Sequence, residues 1–194
     1  MMRVGLFGGS FNPVHIGHLI IGSHIASSDE VDEVWFVLSP TNPLKVNAEF
    51  ENISEHHRLN MLKIALESID NPKIKLCDIE LSMPRPSYTI NTLTELKRQH
   101  PDILFKWIIG SDNLHKFDNW KATDEILDNF GLLVYPRPGE IAPLIQSGKI
   151  KQINAPMLDI SSTMIRDGIK ARKDMSCCLP YGVSKYIKLH NLYD

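Results

Sequence analysis

Cysteine is scarce in this chain, and the few present build no framework. There are three, Cys77, Cys177 and Cys178, in 194 residues. An odd count with two neighbours adjacent gives neither a disulfide scaffold nor the paired spacing of a zinc site, and predicts reduced thiols in a cytoplasmic protein. An excess of one charge is missing too. The net charge is -2 and the pI near 6.4, which excludes the broad positive footprint of a nucleic-acid binder and favours a small anionic substrate met by a local positive site. No stretch approaches the roughly 20 apolar residues of a membrane span, so no membrane partner is expected. The run Val4–Phe7 is too short for a secretion signal and passes directly into glycines. Repeats, low-complexity tracts and linkers are also lacking, so residues 1–194 read as one domain with enough length for a full core.

What is present is an alternation. Short apolar runs fall at Arg3–Phe7, Val34–Leu38, Lys73–Ile79, Ile103–Ile109, Gly131–Tyr135 and, more weakly, Ile150–Ala155. Helical patterns lie between them, near 17–28, 54–69, 88–99, 121–129 and 161–171, with a last one near 180–190. Runs such as Val34–Leu38 are apolar on successive residues, as strands are when helices cover both faces. The expected fold is therefore α/β: a doubly wound, mainly parallel, Rossmann-like sheet with a C-terminal helical segment. In the commonest strand order, the first and fourth strands flank the crevice where ligands bind. Here the first ends in Gly8-Gly9-Ser10 and the fourth in Gly110-Ser111-Asp112. Both ends thus fall on one crevice.

The stretch Gly8–Leu19, GGSFNPVHIGHL, matches neither the Walker A pattern nor G-x-G-x-x-G. It offers a glycine turn, then a helix starting near Gly17 whose N-terminus attracts phosphate. His15 and His18, three apart, can face one ligand. A tight turn with histidines satisfied by backbone is the plainer alternative, and a metal pair lacks further ligands nearby. The second motif is Ile160–Arg166, ISSTMIR. Ser161 is a natural N-cap, which leaves Ser162, Thr163 and an arginine at the positive end of the helix dipole to explain. A bound anion reverses the sign of that last interaction.

Together, GGSFNPVHIGH and ISSTMIR resemble the nucleotidyltransferase superfamily, whose first signature is H-x-G-H. Over nearly its whole length the chain is similar to the bacterial nicotinate-nucleotide adenylyltransferase family. The closer match rests on PSYTINTL (Pro86–Leu93), IIGSDNL (Ile108–Leu114), Trp120, RPG (Arg137–Gly139) and LPYGVSKYI near the C-terminus. The resemblance implies AMP transfer from ATP to nicotinate mononucleotide, with Mg2+ carried by ATP. It implies phosphate donors at His15, His18, Lys45 and Arg166. ATP is then held along Gly8, Gly9, Ser10 and Phe11, by Gly110, Asp112 and Arg137, and by Ser161, Ser162 and Thr163. Nicotinate mononucleotide falls to Ser87, Tyr88, Thr89 and Trp120. Core packing for Trp120, helix caps at Thr89 and Asp112, and a turn at Arg137 stay open as structural readings.

One position departs from the family: Leu44 stands in PTNPLK where relatives carry histidine, next to Lys45. Rival functions are an adenylyltransferase for nicotinamide mononucleotide or phosphopantetheine, and a non-catalytic nucleotide-binding module. A homo-oligomer is compatible with the sequence.

Overall fold

The computed structural model describes residues 1–41, 53–139 and 148–194. These form six strands, β1 (Met2–Gly9), β2 (Glu33–Leu38), β3 (Ile74–Cys77), β4 (Ile103–Gly110), β5 (Leu132–Tyr135) and β6 (Ile150–Gln152). Every pairing is parallel, in the order β3-β2-β1-β4-β5-β6. The helices are α1 (Ile16–Ala26), α2 (Glu55–Glu67), α3 (Thr89–Gln99), α4 (Ser111–Leu114), α5 (Thr123–Asn129), α6 (Ser162–Lys170) and α7 (Tyr181–Leu189).

Successive strand residues point to opposite layers, which is why the strands read as unbroken apolar runs. Val4, Leu6, Trp107 and Ile109 join α3 and α5 on one side. Phe7, Phe36 and Ile108 join α1, α2, α6 and α7 on the other. Phe7 of β1 pairs with Ile108 of β4, so Gly8-Gly9 and Gly110 end adjacent strands, at the point where the winding reverses. That is the crevice expected from the sequence.

Several boundaries differ from the expected ones, each for a local reason. β3 is shorter than Lys73–Ile79 because Ile79–Ser82 closes into a 3-10 turn. The fifth helix begins at Thr123, after Ala122 turns through a left-handed φ of 56°. α4 was not expected at all: β4 passes straight into a helical turn at Ser111. β6 stops at Gln152, short of Ala155.

Candidate active site

The histidine pair sits at the mouth of α1. His15 occupies the N-cap in an extended conformation, φ −138° and ψ 168°, and His18 is the third helical residue. The His15 amide donates to His18 Nδ1 at 3.2 Å, so the neutral His18 ring carries its proton on Nε2. The two rings stack with centroids 3.6 Å apart, and Phe11 and Phe7 meet His18 edge-on at 5.1 Å and 6.1 Å. Five-membered rings packed this way have little rotamer freedom left, so the donors are fixed before any ligand arrives. His15 is only 4% exposed, and its Nδ1 is buried with no hydrogen-bond partner among the described residues. Burial, aided by the charge of Arg137, holds its pKa down to about 4. At neutral pH it is therefore an uncharged imidazole.

Between β1 and α1 runs a turn whose oxygens are held by distant side chains. Arg58 of α2 donates to Ser10 O at 2.9 Å, and also to Ser39 O and Pro40 O at 2.7 Å and 2.8 Å. Arg166 of α6 donates to Asn12 O at 2.7 Å and to Thr163 Oγ1 at 3.1 Å. Ser162 Oγ donates to Pro13 O at 2.9 Å. Ser161 caps α6 as the sequence suggested, accepting from the Met164 amide at 3.1 Å. Phe11 adopts a φ of 44° to make the turn.

The glycines serve packing here. A Cβ on Gly8 would lie 2.2 Å from the Trp107 ring, and one on Gly110 2.4 Å from Asp112 Oδ1 and 3.0 Å from Arg137 Cγ. Gly110 thus lets Asp112 and Arg137 fold over the strand end, where their charged groups stand 3.8 Å apart. The Arg137 amide donates to Ser111 Oγ at 2.9 Å, so Arg137 also belongs to a turn.

Two adjoining cavities open at this strand edge. The first is lined by Gly8, Gly9, Ser10, Phe11, His15, His18, Asp112, Arg137, Ser161, Ser162, Thr163 and Arg166, with Asn113 and Leu158. The second is lined by Ser87, Tyr88, Thr89, Gly110 and Trp120, with Ser39, Asn119 and Lys121. Phe7, Gly8, Gly9, Asn113 and Tyr135 line both. Every sequence-predicted site residue is gathered here except Lys45, which lies outside the described residues together with Leu44.

The cap readings of Thr89 and Asp112 fail. Tyr88 is the N-cap of α3 and Gly110 that of α4, so each residue is inside its helix. Trp120 is half-buried against Phe117, 5.4 Å between rings, yet its Nε1 is buried with no hydrogen-bond partner among the described residues. Asn113 and Tyr135 went unnoticed in the sequence. Asn113 had a signal, its place inside IIGSDNL; Tyr135 looked like ordinary strand. Burial raises the Tyr135 phenol to about 12, so it stays a donor in the shared wall. A second network backs this wall: buried Glu80 accepts from Ser39 Oγ and from Thr92 Oγ1 of α3, both at 2.7 Å.

Residues 6–168 match a family model described as Cytidylyltransferase-like. A protein of Cytophaga hutchinsonii named "Probable nicotinate-nucleotide adenylyltransferase" is 44% identical over 96% of this chain and 94% of its own length. The chain belongs to the nicotinate-nucleotide adenylyltransferase family. A similarly named protein of Flavobacterium psychrophilum is 43% identical over 99% of both chains. Among solved structures, Plasmodium falciparum nicotinic acid mononucleotide adenylyltransferase complexed with NaAD superposes with a TM-score of 0.85, covering 100% of this chain and 98% of that one. At 24% identity it speaks for the family's Rossmann-like fold. No helix among the described residues is long and apolar enough to cross a membrane.

Proposed function

We propose that the chain transfers the adenylyl group of ATP to nicotinate mononucleotide, releasing pyrophosphate and forming deamido-NAD. The observation that supports this most is the pair of cavities joined at the Gly8-Gly9 edge. One is lined with cationic and neutral donors, the other with an indole and a helix start. A phosphate oxygen of the mononucleotide attacks the α-phosphorus, and the bond from that phosphorus to the bridging oxygen of pyrophosphate breaks. The attacking phosphate is already mostly dianionic at neutral pH, its second pKa being about 6. No general base is needed, and the work left to the protein is alignment and charge stabilisation.

In this reading, His15 donates to the triphosphate as a neutral ring, His18 donates beside it, and Arg166 supplies charge. Asp112 and Arg137 flank the adenosine, with Gly110 at the strand end beside them, Ser161–Thr163 cap the phosphates, and Lys45 is a further phosphate donor. Among the described residues lining this crevice Asp112 is the one carboxylate, and it stands beside Arg137. That donor set fits a magnesium ion held by phosphate oxygens better than one caged by side chains. Magnesium bound there would offset charge on the leaving pyrophosphate.

For the acceptor, Trp120 packs on the pyridine. Thr89 and Ile90 open α3, so their amides have no acceptor within the helix. Such amides suit a carboxylate, whereas a carboxamide would set donor against donor. Free cysteines at 77, 177 and 178 are in keeping with a cytoplasmic enzyme.

The test is pyrophosphate release from Mg-ATP with nicotinate mononucleotide, nicotinamide mononucleotide and phosphopantetheine in parallel. Preference for the nicotinate compound is the expected result. Preference for the amide would overturn the carboxylate pocket, and ATP binding without release from any acceptor would leave a nucleotide-binding module.

A further inference from the structure

Beyond α7 the chain folds back into the body of the molecule. Leu192 and Tyr193 are 6% and 8% exposed and join the same apolar cluster as α1, α2 and α6. Tyr193 lies 25 positions past the residues that the family model matches. Its hydroxyl donates to Asn12 Oδ1 at 2.6 Å, a bond spanning 181 positions. Asn12 is itself buried, 6% exposed, and its main-chain oxygen is the one Arg166 grips. Both oxygens of this one residue are therefore held, one by α6 and one by the C-terminal segment.

Backbone strain accumulates at the two ends of this contact. Phe11 beside Asn12 has a φ of 44°, and Tyr193 a φ of 72°. A bulky residue in the left-handed region is costly, and such conformations persist where surrounding contacts over-determine them, commonly at functional sites. A mere hydrophobic plug would need neither the strained φ nor the hydroxyl.

We infer that Tyr193 is a positioning residue for adenylyl transfer: its hydroxyl fixes the Asn12 side chain, and through it the Ser10–Pro13 turn against which Arg166 and the His15–His18 pair are set. The inference rests on the reading that this crevice holds the triphosphate. Burial drives the Tyr193 phenol well above its ordinary pKa, although Arg166 and Arg58 pull it back, so the group remains a donor wherever the protein is folded.

The experiment is a double-mutant cycle on the full chain with Tyr193→Phe, which keeps the ring, Asn12→Ala, and the pair. At saturating Mg-ATP, Tyr193→Phe is expected to lower kcat about 5- to 10-fold, the scale of one buried neutral hydrogen bond, with the KM for nicotinate mononucleotide unchanged. The double variant should be no slower than Asn12→Ala alone. Normal kcat in Tyr193→Phe, whatever happens to its melting temperature, would overturn the inference, as would losses that simply multiply. Should the unmodified enzyme release no pyrophosphate, the functional reading is what fails. The same variants are then compared for affinity toward a non-hydrolysable ATP analogue. Weaker binding in Tyr193→Phe is expected there, and equal affinity would overturn the role of Tyr193.

Discussion

An uncharged His15 has a cost that shows as acid sensitivity. In the folded chain its pKa is about 4, against an ordinary 6.5, because the ring is almost wholly buried and faces Arg137. The folded value is the lower one, so the unfolded chain takes up the proton first as pH falls. His15 is then without effect above about pH 7 and destabilises progressively from pH 6.5 down through pH 4. Linkage over that interval gives about 2 kcal/mol at pH 5 and about 3 kcal/mol near pH 4. With 4% exposure, solvent screening takes little away. Urea unfolding of the wild type and of His15→Asn, run at a series of pH values, isolates this contribution. The stability of the wild type relative to the variant should fall by about 3 kcal/mol between pH 7.5 and pH 4. A difference that stays constant with pH would refute a neutral buried ring.

Three further expectations follow from the site. His18→Ala should lower kcat by at least about 100-fold with the fold intact, the scale of one lost phosphate donor; steady-state kinetics with circular dichroism checks both halves. Trp120→Ala should raise the KM for nicotinate mononucleotide about 10- to 100-fold, from lost stacking, with a much smaller change for ATP. Equal changes would mark the indole as structural. Arg58→Met removes the donor to Ser10 O, Ser39 O and Pro40 O, and at about 1 kcal/mol for each deprived carbonyl should cost about 3 kcal/mol in urea unfolding.

The sheet was legible in the sequence because its signal is local. Strands such as Val34–Leu38 must satisfy two apolar layers at once, and that demand is written on consecutive residues. Ser161 was legible as a cap for the same reason, since its partner is three residues away. The glycines show where local reading stops. Gly8 reads as part of an anion-binding turn, but the ring of Trp107, which a Cβ there would also strike, lies on the neighbouring strand, and nothing near position 8 announces it. Nothing local marks Arg58, whose bonds reach back 48 positions to Ser10. Tyr193 gave no sign, because its meaning depends on Asn12. Residues that line the crevice lie in recognisable strings; residues that hold those strings in place are scattered.

The wall common to the two cavities sets the order of competition among ligands. In the proposed reading ATP and the mononucleotide take opposite sides of Gly8, Gly9, Asn113 and Tyr135, which line both cavities, so either would bind in the presence of the other. A dinucleotide would lie across that wall and claim both sides at once. It should therefore inhibit competitively against each substrate, although the substrates do not compete with one another. Accumulating product would then throttle its own synthesis, and raising either substrate to saturation would release that brake.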